Sequence, residues 1–205
     1  MKYTQPVSKD VVTKTIEALE KNGITAEIVQ TAEEAKQKAL SLIPEGAEVM
    51  TMTSVTLEET GLDTEINSSP KFKSVRNALT SMNRDTEHRE MQKLGAAPEW
   101  VVGSVHAVTE EGEVVVTSGT GSQLPAYLYG ASHVLWIVGT QKIVKDVSEA
   151  MNRIKEHLIP LESVRARKAY GLPDTWNTNP SKTVVINKES PDRIHIIFVN
   201  QKLGF

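Results

Sequence analysis

The chain reads as a single α/β domain, residues 1–205, built on a mostly parallel central sheet, and three observations predict this. Along most of its length the apolar pattern alternates between a helical period and a strand-like one, the mark of alternating β and α elements. Val134-Leu135-Trp136-Ile137-Val138 is a continuous apolar run, which suits a strand covered on both faces. Helix-start residues and glycine stops recur at the ends of the periodic segments, with no internal repeat and no linker.

Taken in order, Ser8 caps a first helix with Val12, Ile16 and Leu19 on one face and Gly23 as its stop. Residues 24–29 form a short strand. Thr31 and Glu34 are spaced as a capping box, in which each side chain bonds the other residue's N–H. The next helix places Ala35, Ala39, Leu42 and Ile43 together, and residues 47–52 are a strand that runs into Thr53-Ser54-Val55-Thr56. Thr56 with Glu59 is a second capping-box candidate, and Gly61 closes that helix. Residues 63–97 carry the weakest pattern; within them Lys71 to Leu94 reads as mostly helical, polar and broken in places, with Gly95 as a stop, as a cover on the sheet or a lid. Residues 100–108 and 113–118 flank the four-residue connection Thr109-Glu110-Glu111-Gly112 and read as a hairpin. After the apolar run, residues 139–142 lead into a long helix with Val147, Met151, Ile154 and Leu158 at helical spacing. Pro160 suits the first turn of a further helix that Gly171 ends. Residues 183–187 and 193–199 are the last strands, and Met50, Met52 and Met151 read as core.

Composition removes several function classes. A net charge of −3 and a pI near 6.0 lack the basic imbalance of a nucleic-acid binder. The chain has no cysteine, hence no disulfide, no cysteine nucleophile and no thiolate to hold a metal or an iron–sulfur cluster. The histidines 88, 106, 133, 157 and 195 form no zinc signature, so no metal site is expected. With no apolar leader at the first residues and no run of about 20 apolar residues, the expectation is a cytoplasmic protein that spans no membrane.

Two hydroxyl-rich turns are the candidate ligand sites. Thr53, Ser54 and Thr56 stand where a strand ends and a helix begins. There, free N–H groups and the helix dipole favour a phosphate or carboxylate, and a plain helix cap uses the same residues. Ser118-Gly119-Thr120-Gly121-Ser122 follows a strand, and its glycines allow either close backbone approach to a ligand or a flexible turn. It fits neither the Walker A spacing nor the dinucleotide fingerprint. Glu110 and Glu111 at the hairpin tip are candidate catalytic carboxylates, as nucleophile or base, or else solvated loop residues. His106 sits on the strand before them. Arg153, Arg165, Arg167 and Lys168 form the clearest basic group, able to clamp a carboxylate or simply to face solvent.

Three stretches together resemble the LUD (lactate-utilisation) domain family. They are residues 53–62, ending in Gly61-Leu62; residues 103–122, with Gly103-Ser104-Val105-His106 and the Gly-rich turn; and residues 133–144 with Gly139-Thr140-Gln141-Lys142, followed by Arg153-Ile154, Pro160-Leu161 and Arg165. The resemblance implies a three-layer α/β/α fold of the sugar-isomerase/CoA-transferase type, with the two turns at one end of one sheet. It implies a role in lactate or related organic-acid utilisation, a small anionic metabolite as ligand, and iron–sulfur oxidoreductase subunits as partners, homo-oligomerisation also being open. The ligand-binding residues expected on this basis are Thr53, Ser54, Thr56, His106, Ser118, Gly119, Thr120, Gly121, Ser122, Lys142, Arg153 and Arg165. Other readings are a transferase or isomerase using Glu110 or Glu111, and a non-catalytic subunit.

Overall fold

The computed structural model describes residues 2–205. Its strands are β1 (Thr25–Val29), β2 (Glu48–Thr51), β3 (Lys73–Ser74), β4 (Trp100–Gly103), β5 (Ala107–Thr109), β6 (Val114–Ser118), β7 (His133–Gly139), β8 (Ile143–Val144), β9 (Lys182–Ile186) and β10 (Ile194–Val199). Its helices are α1 (Lys9–Lys21), α2 (Ala32–Leu42), α3 (Val55–Thr60), α4 (Leu62–Ser68), α5 (Val75–Ser81), α6 (His88–Ala96), α7 (Val147–Arg153) and α8 (Ile159–Tyr170). Six strands make a wholly parallel main sheet in the order β1-β10-β7-β4-β2-β3. The apolar run predicted as a doubly covered strand is β7, at the interior of this sheet between β10 and β4.

Alternation along β7 sorts the core. Val134, Trp136 and Val138 face Val12 and Leu19 of α1 and Val75 of α5, while Leu135 and Ile137 face Ala35 and Ala39 of α2, Leu57 of α3 and Ile66 of α4. Helices thus cover both faces, giving the three-layer α/β/α arrangement. Each fully buried large apolar side chain contributes about 1.5–3 kcal/mol. Trp136 and Tyr127 add an edge-to-face ring contact at 5.2 Å.

The predicted hairpin is present as β5 and β6 and the predicted strand near residue 183 as β9, but these with β8 form a second sheet, β8-β5-β6-β9, which was not legible in the sequence. One face of it, with Val108, Val114 and Val116, joins the main core on the α1 side, and the other, with Ala107, Val115 and Val144, packs on Ala150, Ile154 and Leu158. The predicted continuous strand over residues 100–108 is therefore two strands in two sheets. The break falls after Gly103, where a Cβ would lie 1.9 Å from the Tyr127 hydroxyl. Ser104 then turns its hydroxyl to the Ile137 carbonyl at 2.7 Å and takes the chain out of the main sheet.

Other local readings are corrected in the same way. Glu34 N–H donates to the Thr31 hydroxyl at 3.1 Å, but the Glu34 carboxylate takes the Gln30 N–H at 2.7 Å rather than that of Thr31. The N-cap of α3 is Ser54, without a side-chain bond; Thr56 lies inside the helix and Glu59 accepts the Gly204 N–H at 2.7 Å, so the second capping box is absent. Ser8 caps α1 by position only. Residues 63–97 supply α4, α5, α6 and the edge strand β3, and Leu79 and Leu94 pack against the main core. Between α7 and α8 the chain makes a π-helical turn, Ile154–Leu158. Within the regular helix α7, before that turn, Ala150 and Arg153 take the inner face, so Arg153 is fully buried and the predicted core residue Met151 is 41% exposed. Pro160 and Gly171 bound α8 as the sequence predicts, Gly171 in the left-handed region.

Candidate functional site

Four parallel strands of the main sheet end at one place, and the chain leaving each supplies a wall of one cavity. From β2 come Thr53, Ser54 and Thr56; from β4, Ser104, Val105 and His106; from β7, Lys142; and after β10, Phe205. The second sheet adds Thr117, Ser118, Gly119, Thr120 and Ser122, and α8 with the loop after it adds Glu162, Arg165, Tyr170 and Trp176. The cavity measures about 660 Å³. Its position is the one at which open α/β sheets bind ligands, outside the carboxyl ends of the strands.

Lys142 is the electrostatic centre. The turn Thr140–Lys142 directs it inward, and it is 2% exposed. Its ammonium donates to the Thr56 hydroxyl at 2.9 Å, the Ser104 hydroxyl at 3.1 Å and the Val105 carbonyl at 3.3 Å. Both hydroxyls pass their own hydrogens on, Thr56 to the Leu203 carbonyl and Ser104 to the Ile137 carbonyl, so each presents lone pairs to the amine. Among the described residues no carboxylate pairs with Lys142. Burial, and then the Arg153 cation, push its pKa down to about 7, against a smaller opposing pull from Glu59.

His106 lies beside it. Its Nδ1 accepts the Thr117 N–H at 3.1 Å, which leaves the hydrogen of the neutral ring on Nε2. Burial, with Lys142 and Arg153, holds this imidazole down at about 3, so it stays neutral at physiological pH. Arg153 carries the His106 carbonyl on Nη1 at 2.5 Å but does not line the cavity, and its Nε and Nη2 are buried without a partner. Burial lowers its pKa to about 10. Arg153 lies on the inner face of α7, which packs on β5, and so reaches the His106 carbonyl rather than the mouth of the cavity.

The second turn is internally ordered. Gly121 N–H donates to the Ser118 hydroxyl at 2.8 Å, a bond that needs the +87° φ of Gly121. Gly121 itself stands behind the lining residues Thr120 and Ser122. Arg165 lines the cavity as a bidentate partner of Glu162, both bonds 2.7 Å, and this raises the Arg165 pKa.

Of the residues singled out in the sequence, the structure gathers Thr53, Ser54, Thr56, His106, Ser118, Gly119, Thr120, Ser122, Lys142 and Arg165 around one cavity. It does not bring Glu110 and Glu111 there. Their tip docks on α1, where Asn22 donates to the Glu111 carbonyl at 3.0 Å and Lys14 reaches both carboxylates at 3.3 and 3.4 Å. The hairpin runs away from the carboxyl ends of the main sheet, which explains the separation. Sequence reasoning missed Tyr127, Glu162, Tyr170, Trp176 and the polar segment 177–181, all of which line the cavity. The one available signal for that segment was its lack of periodicity between a helix stop and a strand.

Among the described residues no group of three His, Asp or Glu side chains is placed to hold a metal ion. An iron–sulfur cluster does not fit this chain's donor set, which has no thiolate. No described helix is long and apolar enough to cross a membrane.

These features define an α/β protein with an open parallel sheet and a polar, lysine-centred cavity at its carboxyl edge. The chain belongs to the LUD domain family, whose model matches residues 12–199. In fold it is similar to a DUF162 family protein from Deinococcus radiodurans, at 14% identity and a TM-score of 0.57, covering 95% of this chain and 100% of that one. No curated protein matches the chain in sequence.

Proposed function

We propose that the cavity binds a small organic-acid anion of the lactate and pyruvate kind, and that the protein acts in the utilisation of such acids. The observation that carries this reading is Lys142: a buried ammonium at a ligand-sized cavity, surrounded by hydroxyls and a carbonyl and paired with no carboxylate. A bound carboxylate supplies the missing counter-charge, and the neutral His106 offers its Nε2–H as a further donor. Family membership supplies the metabolic context. With no cysteine in the chain, any iron–sulfur step of such a pathway falls to a partner subunit.

The test is thermal unfolding with pyruvate, lactate, sugar phosphates and chloride at matched ionic strength. At a hundred times the dissociation constant a ligand of the native state adds about 2.7 kcal/mol. Pyruvate or lactate is expected to raise the melting temperature where chloride does not, and Lys142→Met is expected to remove the effect. No response to either acid at tens of millimolar refutes the reading.

A further inference from the structure

The cavity is larger and more two-sided than a three-carbon acid requires. Sites for drug-sized ligands span roughly 300–1,000 Å³, and this one, at about 660 Å³, lies within that range. Lys142, Thr56 and His106 form its inner end. Its outer end is different in kind: Trp176 and Tyr170 line it, and neither ring contacts another aromatic ring among the described residues. Trp176 is held in place, its carbonyl taking a bond from Arg167 at 2.8 Å and its N–H reaching the Pro173 carbonyl at 2.9 Å. Two residues on, Thr178 N–H is pinned to the Ser163 hydroxyl of α8 at 3.1 Å.

The same loop crosses the Gly-rich turn. A Cβ at Gly119 would sit 3.4 Å from the Asn179 carbonyl, and Ser118 pairs with Lys182 in the β6–β9 ladder. The Lys182 side chain lies over Gly121, with Nζ 3.8 Å from a Cβ placed there, and among the described residues it has no carboxylate partner. The Arg165 guanidinium lies over the Tyr170 ring, 5.8 Å from its centroid, so a hydroxyl-rich turn, the Trp176 ring and, just outside the cavity lining, a lysine without a carboxylate partner stand near one another.

We propose that the outer end of the cavity takes a nucleotide-type ligand, with its planar heteroaromatic base against Trp176 and its phosphate at the turn of residues 118–122, on the side of Lys182. Stacking of a base on an aromatic side chain is tolerant of base identity, and phosphate suits the mix of cation and hydroxyl donors. The ligand is additional to the acid at Lys142, so the two readings stand or fall separately.

Tryptophan emission tests this. Trp136 is buried in the sheet and Trp100 is stacked on His133, so of the three tryptophans only Trp176 lines the cavity. The full chain is titrated with AMP, CMP and FMN, and in parallel with inorganic phosphate and adenosine. At least one mononucleotide is expected to quench Trp176 and to bind tenfold or more tighter than phosphate or nucleoside. Trp176→Leu is expected to weaken it about tenfold, read by calorimetry, and Lys182→Met to weaken it severalfold without affecting adenosine or pyruvate affinity. Mononucleotides that bind no better than phosphate, or a nucleotide affinity unmoved by Trp176→Leu, overturn the proposal. Pyruvate binding without nucleotide binding removes this inference and leaves the acid reading in place; nucleotide binding without pyruvate binding does the reverse.

Discussion

The affinity of the cavity for an organic acid is expected to fall as pH rises from 7 to 9, because Lys142 loses its charge in that window. Its pKa in the folded protein is about 7, so at pH 6 the amine is mostly an ammonium and at pH 9 only about one molecule in a hundred carries the charge. A carboxylate about 4 Å from an ammonium gains about 4 kcal/mol at an effective dielectric near 20. Each pH unit above 7 removes about 1.4 kcal/mol, and the loss to pH 9, about 2.7 kcal/mol or a hundredfold, stays under that ceiling. The other groups near Lys142 do not confuse the reading: His106 is neutral throughout and Arg153 remains charged. Calorimetric titration with pyruvate at pH 6, 7, 8 and 9, at constant ionic strength, measures the slope. In Lys142→Met the slope is expected to vanish along with most of the affinity. An affinity that is flat with pH in the wild type, or a slope that survives in Lys142→Met, refutes the assignment. Stability moves the opposite way. Lys142 binds its proton less tightly folded than unfolded, so between about 7 and 10.5 the unfolded chain holds more protons and stability rises with pH. Below pH 7 the full cost of burying the ammonium, on the order of 5 kcal/mol, is present, and urea unfolding should favour Lys142→Met most strongly there.

Three further substitutions probe the frame. Gly103→Ala places a methyl against the Tyr127 hydroxyl, and urea unfolding is expected to show a loss of about 1–3 kcal/mol as the ring is displaced. Glu110→Ala and Glu111→Ala remove exposed pairs with Lys14 outside the cavity; each should leave the urea midpoint nearly unchanged and pyruvate affinity within twofold, and a loss of binding would return these carboxylates to the site.

How much of this was legible in the sequence depends on the range of the interaction involved. β7 announced itself because doubly covered parallel strands read as unbroken apolar runs. The turns at 53–56 and 118–122 were visible because strand-to-helix punctuation and paired glycines are local signals. The second sheet was not, because the signal for it is the Tyr127 hydroxyl occupying the space beside Gly103, 24 residues away in the chain. Arg153 and Met151 exchanged places because the inner face of α7 is set by a tertiary contact, Arg153 on the His106 carbonyl, that local periodicity does not register. Glu110 and Glu111 drew attention by their chemistry, but only the tertiary docking of their tip on α1 says which way they point. Trp176 lies where no period operates, on a loop fixed by side-chain bonds to Arg167 and Ser163, and Tyr170 is the last residue of α8, where the sequence marked only the end of a helix.

The main sheet finishes at one margin in a strand of only two residues, Lys73 and Ser74, and at the other in β1, whose Glu27 is engaged by Lys38 and His195. A margin this short gives an incoming backbone almost no ladder to extend, and the lysine adds a charge that would have to be stripped of water. On that side the sheet therefore presents little that a second chain could pair with, so edge-to-edge association through β3 is disfavoured.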